Sequence, residues 1–288
     1  MTENKKAKIM LCVSMVIFGT LGVFTRNIDV SSGELSLYRA LLASVFVIGY
    51  LVFKGQKIDF KSIKKEIPLL LFSGVAMGIN WILLFEAYKY TTISAATLSY
   101  YFAPVIVTVV CPFLFHEKIT SRQIICFVMS TVGLVMITVT GDMSNGGKDI
   151  IGILFGLGAA LFYATVIILN KFIKNVTGIH RTFFQFLASI VLLVPYVGFT
   201  SGINIGNLDG IGWICLLFVG LIHTGVTYCL YFSALKDLKG QETAILSYID
   251  PLVAVLISVI ILGESMTIMQ FVGGALILGF TLWNEKNS

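Results

Sequence analysis

Ten stretches of mostly apolar residues follow one another along this chain, at about 8–25, 35–53, 67–88, 92–114, 122–140, 150–172, 182–200, 211–235, 241–262 and 267–284. A helix of about 20 such residues crosses the roughly 30 Å hydrocarbon core of a bilayer. The connections are short, so no soluble domain is inserted between the runs. Only 12% of the 288 residues are charged, whereas 57% are apolar. A water-soluble domain carries about 25% charged residues. A surface so poor in charge has to meet lipid, and the expected fold is an all-α polytopic membrane protein with ten transmembrane helices.

The net charge of +5 does not point to nucleic acid, because the cations are not gathered on a polar helix face. They sit in loops beside the apolar runs, where Lys and Arg report orientation. With the N-terminus inside, sixteen Lys and Arg fall in inner segments, the largest group being Lys54, Lys57, Lys61, Lys64 and Lys65. Only Arg26, Lys89 and Lys148 fall outside. The split places both termini in the cytoplasm and the chain in the cytoplasmic membrane. Lys5, Lys6 and Lys8 before the first run resemble a signal peptide, but no small-x-small cleavage site follows, so the run is expected to remain as a span. The five cysteines, Cys12, Cys111, Cys126, Cys215 and Cys229, lie in or at the ends of apolar runs without C-x-x-C spacing. They read as small packing residues rather than a disulfide framework or a zinc site.

The chain also repeats itself. A shift of 147 residues lays 85–123 over 232–270, and the identities include Lys89/Lys236, Tyr101/Tyr248, Pro104/Pro251, Glu117/Glu264, Thr120/Thr267 and Gln123/Gln270. Such matches are hard to obtain by chance in an apolar chain. A slightly different shift, with a one-residue gap, aligns the segment starting at Arg39 with that starting at Gln185. The repeats are about 1–140 and 149–288, each with five runs, joined through a Gly/Ser/Asn turn at 141–147. An odd number of runs makes the second copy enter from the opposite side, giving inverted repeats, which in secondary transporters enclose a site near the midplane.

Each copy carries a mid-helix proline, then an apolar stretch ending in Glu, then Thr and Gln. The first reads Pro104 to Phe115-His116-Glu117, then Thr120 and Gln123; the second reads Pro251 to Leu262-Gly263-Glu264, then Thr267 and Gln270. This pattern resembles the EamA-type branch of the drug/metabolite transporter superfamily over essentially the whole chain. His116 stands where that pattern usually has Gly. The resemblance implies ten helices, a central cavity lined mainly by helices 1, 3, 4, 6, 8 and 9, and metabolite transport. It leaves the solute open.

Ionisable and polar groups inside the hydrocarbon mark candidate sites. Asp250 lies about nine residues into the ninth run, near mid-bilayer at 1.5 Å per residue. Thr243, Ser247, Asp250 and Ala254 share its stripe, and Pro251 frees a backbone carbonyl beside it. A carboxylate there serves to bind a cationic group or to carry a coupling proton. Its counterpart in the first repeat is Ala103, so the acid is not required by the repeat itself. In the eighth run, His223, Thr227 and Tyr231 recur every four residues with Tyr228 beside them. The repeat partners of Thr227 and Tyr228 in the third run are Asn80 and Trp81. Tyr100, Tyr101, Tyr163 and Tyr248 add aromatic faces for stacking or cation–π contact, with Asn170 seven residues after Tyr163. Pro104 and Pro251 are expected hinges. On an ideal helix Tyr248 points nearly opposite to Asp250. Arg39, a few residues into the second run, reads as structural or gating; Glu117 and Glu264 read as helix-end residues and Glu86/Lys89 as an interfacial ion pair.

No phosphate loop, nucleophile elbow, metal-ligand cluster or cofactor motif is present, so enzymatic and ATP-driven chemistry is not expected. The expectation is a secondary transporter for a small polar or amphipathic metabolite, with an amino acid or organic amine favoured, driven by protons or by exchange. The alternative is a membrane sensor or accessory subunit that binds a solute without moving it. Import or export, the coupling ion and the oligomeric state are not legible.

Overall fold

A computed structural model describes residues 3–55, 60–115, 120–139, 147–176, 178–235, 237–238, 243 and 246–286. His116, Glu117 and the 141–146 turn lie outside the described residues. Among those residues the protein is helical throughout. In chain order the helices are α1 (Glu3–Gly19), α2 (Leu21–Thr25), α3 (Ser32–Phe53), α4 (Phe60–Tyr90), α5 (Ile93–Tyr100), α6 (Ala103–Phe115) and α7 (Ser121–Val139). They continue as α8 (Lys148–Phe172), α9 (Gly178–Phe199), α10 (Gly210–Leu217), a π-helical stretch (Phe218–Val226), α11 (Thr227–Ala234), α12 (Ile249–Ile260) and α13 (Ile268–Lys286). Seven helices or stacked helix pairs are long and apolar enough to cross a membrane, and three shorter apolar helices, Ser121–Ile137, Ile249–Ile260 and Ile268–Asn284, fall in the remaining runs. The chain is a multi-pass membrane protein.

Local chemistry sets where the helices start and break. Ser31 caps α3 and forms a reciprocal capping box with Glu34, so this helix begins earlier than the apolar run suggests. Arg39 is therefore seven residues inside α3, about 10 Å from its start at 1.5 Å per residue. The fourth run divides at Tyr101 and Phe102, immediately before Ala103 and Pro104; the ninth has a turn at Tyr248, just before Asp250 and Pro251. Proline lacks an N–H and its ring crowds the carbonyl four residues earlier, which explains a break at the same repeat position in both. The eighth run contains nine π-helical residues. Thr224 and Thr227 donate their hydroxyls to the carbonyls of Val219 and Ile222, each five residues back, at 2.8 and 2.7 Å. Such π segments concentrate at functional sites.

The packing respects the repeat. Numbered by apolar runs, the third packs on the sixth and the eighth on the first; the third packs on the seventh and the eighth on the second; the fourth packs on the sixth and the ninth on the first. The fifth against the tenth and the second against the seventh complete the pattern. Exchanging the halves leaves this set of pairings unchanged. The largest apolar cluster, with Ala43, Val47, Phe85, Phe186, Leu193 and Val219, lies among runs two, three, seven and eight. Outward-facing residues are apolar as well: Val45 is 69% exposed in the middle of α3, and Phe199 is 89% exposed at the end of α9. That surface suits acyl chains.

Glycine permits the tightest crossings. A Cβ on Gly74 would meet the Gln185 carbonyl oxygen at 2.5 Å and the Gln185 Cα at 3.1 Å, so backbone would have to move. Gly156 crosses the fourth run at Ser99 and Ala96. Gly133 and Gly273 face each other so closely that a Cβ on either would run into the other's carbonyl. Gly74→Ala is expected to cost about 1–3 kcal/mol, the range for overpacking a close contact. A thermal melt of purified protein in detergent should fall by several degrees, and an unchanged melting temperature would contradict this crossing.

Candidate functional site

Two adjoining cavities occupy the centre of the bundle. The smaller, about 110 Å3, is lined by Phe18, Leu21, Arg39, Trp81, Tyr88, Tyr100 and others. The larger, about 510 Å3, is lined by Met77, Val166, Asn170, Gln185, Tyr231 and Phe232 among others, and reaches helix ends at Arg181 and Leu235. Phe18, Tyr101, Tyr163, Tyr228 and Asp250 line both and form the neck between them. Runs 1, 3, 4, 6, 8 and 9 supply most of the wall. Arg39 from the second run and Arg181, Thr182 and Gln185 from the seventh reach in as well.

Asp250 stands at this neck. The Tyr101 hydroxyl donates to its Oδ2 at 2.5 Å. Tyr101 and Asp250 come from the broken helices of opposite repeats, so the contact joins the two halves. Tyr100 stacks on Tyr163 with ring centroids 5.2 Å apart and meets Tyr101 edge-on. Tyr228 is held edge-on by Phe18 and by Phe186. These rings offer π faces and hydroxyls around one carboxylate, a lining suited to a cationic group that is one part of an amphipathic molecule.

Repeat partners behave alike here. Trp81 and Tyr228 both line the smaller cavity, whereas Asn80 and Thr227 line neither. The Asn80 amide donates to the Ala159 carbonyl at 2.7 Å, and the Thr227 hydroxyl is held within its own π turn. Tyr101, Tyr248, Ser247 and Pro104 line the larger cavity; Pro251 is buried outside both. Tyr248 and Asp250 face the same cavity because the turn at Tyr248 rotates one against the other.

His223 lies outside both cavities. It is fully buried, with Nε2 2.8 Å from the Thr20 hydroxyl and its ring edge-on to Phe24 and Phe218, where it ties the eighth run to the first. A stripe counted at the α-helical period does not carry through a π segment, so His223 and Tyr228 part company.

Beyond the smaller cavity the bundle is shut. Gly19 packs against the Asp250 carbonyl and Val253, with an added Cβ 2.7 Å from each. Ser94 donates to the Ser258 hydroxyl at 2.6 Å. Glu264 closes the same end, accepting the Ile93 backbone N–H at 2.9 Å, the Ser258 hydroxyl and the Arg26 guanidinium. A carboxylate at the start of α5 also meets the positive end of that helix. Its side chain is only 8% exposed, against 38% for Arg26. Glu86 and Lys89, by contrast, form a local pair at 3.4 Å across one helical turn.

The family model described as the EamA-like transporter family matches residues 5–139 and again residues 150–284. The chain belongs to the EamA-like transporter family. Similar proteins agree with this membership. The Bacillus subtilis (strain 168) protein called Uncharacterized transporter YxxF is 29% identical over 94% of this chain and 86% of its own length. An Archaeoglobus fulgidus protein called Uncharacterized transporter is 26% identical over 96% and 95%. The Salmonella typhimurium protein called Uncharacterized inner membrane transporter YicL is 24% identical over 96% and 94%. A crystal structure superimposes with a TM-score of 0.68 at 15% identity, over 98% of this chain and 99% of that one, a likeness of fold.

Within this EamA-like protein, three polar residues carry more of the architecture than the sequence indicates. Arg39, read from the sequence as structural or gating, lines the smaller cavity; the Ser31–Glu34 capping box is the signal for its depth. Tyr88 reaches the same cavity, and the repeat position of Trp81 about two turns earlier on the same face points to it. Glu264 engages Ser258 six residues back and, from elsewhere in the chain, Ile93 and Arg26, which nothing in its own neighbourhood announces.

Proposed function

We propose that this chain is a secondary transporter that moves a small polar or amphipathic metabolite, an amino acid or organic amine, across the cytoplasmic membrane by alternating access. The observation that carries the reading is the pair of joined cavities between the repeats, with a carboxylate at their shared neck and one end of the bundle closed by Glu264. In this reading ten spans form two oppositely inserted halves, about 1–140 and 149–288, with both termini cytoplasmic. The exchange-invariant helix pairings support two related halves. The Lys/Arg distribution puts Arg26 and Glu264 outside and Arg181 and Leu235 inside. The larger cavity then faces the cytoplasm and Glu264 seals the exterior, an inward-facing state. The breaks before Pro104 and Pro251 are the hinges about which the fourth and ninth runs rearrange. Asp250 binds the cationic group of the solute or exchanges it for a proton. Cofactors have no place in this scheme, since gradients or exchange supply the work.

Counterflow tests the reading. Proteoliposomes loaded with a mixture of unlabelled amino acids and amines should accumulate at least one labelled member transiently, and an imposed pH gradient should then report whether protons are coupled. A solute that stabilises the protein yet never crosses the vesicle wall would overturn transport in favour of sensing.

A further inference from the structure

We infer that Arg39 binds the anionic group of the transported solute, so that the solute is a zwitterion held between Arg39 and Asp250. This rests on the carrier reading and specifies its substrate class. Arg39 is 3% exposed, and its guanidinium lies over the Trp81 ring, 4.5 Å from the centroid, with Phe85 at 5.7 Å. Its Nε donates to the Thr224 hydroxyl at 2.7 Å. The guanidinium has five N–H donors, and among the described residues neither Nη atom meets an acceptor and no carboxylate pairs with Arg39. Aromatic faces offset part of the burial of this cation, but a buried charge without a counter-ion remains expensive, and arginine does not escape by losing its proton.

The fold does not require a charge at this position. Gln185 is the counterpart of Arg39 in the second repeat, and its amide is occupied by Ser73 at 2.5 Å and Asn170 at 2.7 Å. The Gln185 amide spends its donors on protein acceptors, whereas Arg39 points unused donors into a cavity. The same small cavity contains Asp250, which is engaged by Tyr101 and not by Arg39. Tyr88 and Tyr228 stand within electrostatic reach of both charges. Two opposite charges that share a cavity without pairing suit a ligand that carries both signs. An anion alone would be repelled by Asp250, and a cation alone by Arg39.

Size narrows the class. The cavity that holds both charges is about 110 Å3, against about 510 Å3 for its neighbour, so the smaller takes the charged head and the larger the rest of the solute. The rest of the molecule would pass the neck at Tyr101, Tyr163 and Tyr228 into the larger chamber beside Met77, Val166 and Phe232. The geometry thus calls for an amino-acid-like head carrying a substantial, partly apolar side chain.

Matched triads test this on the purified, full-length protein. Each probe is a proteinogenic L-amino acid, its decarboxylated amine, or its N-acetyl derivative, read by thermal shift and by counterflow. At least one amino acid should half-saturate at a concentration about tenfold or more below both of its derivatives, as expected for a lost charge-assisted contact. Arg39→Gln should erase the advantage of the acid over the amine, weakening the acid about tenfold and leaving the amine as tight as before or tighter, because the repelling cation is gone. Arg39→Lys, which keeps the charge but loses the flat stack on Trp81, should recover part of it. The acid–amine comparison on the unaltered protein needs no variant, so it stands even where a substitution fails to fold. An amine that binds as well as its parent acid, or no response to any amino acid, overturns the zwitterion assignment. Counterflow of another metabolite in the same vesicles would still uphold the carrier reading.

Discussion

Asp250→Asn is expected to reduce flux by about tenfold to a hundredfold while leaving the fold intact. The substitution keeps the size of the side chain and an oxygen to accept the Tyr101 hydroxyl, now 2.5 Å from Oδ2. It removes the charge and exchanges one accepting oxygen for an amide NH2; hydrogen bonds to a charged group contribute about 1.5–3 kcal/mol, which is roughly ten- to a hundredfold in affinity. Counterflow of the best-accumulated solute is the measurement, with the melting temperature as the control for folding. If protons are coupled through this carboxylate, the variant should also lose its response to an imposed pH gradient while retaining slow exchange. Flux that matches the parent at every pH would remove Asp250 from the mechanism.

Glu264→Ala is expected to open the end of the bundle that carries Arg26. The substitution deletes three contacts at once, to the Ile93 N–H, the Ser258 hydroxyl and Arg26. A single exposed ion pair contributes about 0–1 kcal/mol, but this carboxylate is nearly enclosed and also holds a helix start. The loss of even one charge-assisted bond of about 1.5–3 kcal/mol shifts an open–closed equilibrium by roughly tenfold or more. Ala254→Cys, in a protein whose five native cysteines are replaced by serine, places a thiol in the smaller cavity beneath the closure. A membrane-impermeant maleimide added on the Arg26 side should then label it about tenfold faster in the Glu264→Ala protein. Glu86→Gln, which breaks only a local surface pair, should leave the rate alone. Equal labelling in all three proteins would mean that Glu264 caps α5 without governing access.

The membrane-spanning helices were legible in the sequence because burial in lipid demands long apolar runs, and the pairing of Tyr101 with Tyr248 and of Pro104 with Pro251 marked where two of them break. Asp250 could be found because few acids occur in hydrocarbon. Three features escaped for physical reasons. The π segment depends on Thr224 and Thr227 reaching carbonyls five residues back, a hydrogen-bond choice that leaves no periodic trace. The depth of Arg39 depends on the capping box at Ser31 and Glu34, which starts α3 in residues that look like loop. The partners of Glu264 lie 171 and 238 positions away, at Ile93 and Arg26, so only the folded chain assembles them.

The face-to-face glycines at 133 and 273 have a mechanical corollary. Helices α7 and α13 touch backbone to backbone there, and among the described residues none from either lines the two central cavities. Two rods pressed together without intervening side chains have little freedom to roll, so in the proposed alternating-access cycle this pair is the fixed mast about which the other helices would swing. Sequence drift on the lipid-facing side of the mast should therefore alter how well the protein endures heat or detergent, and leave untouched what it selects.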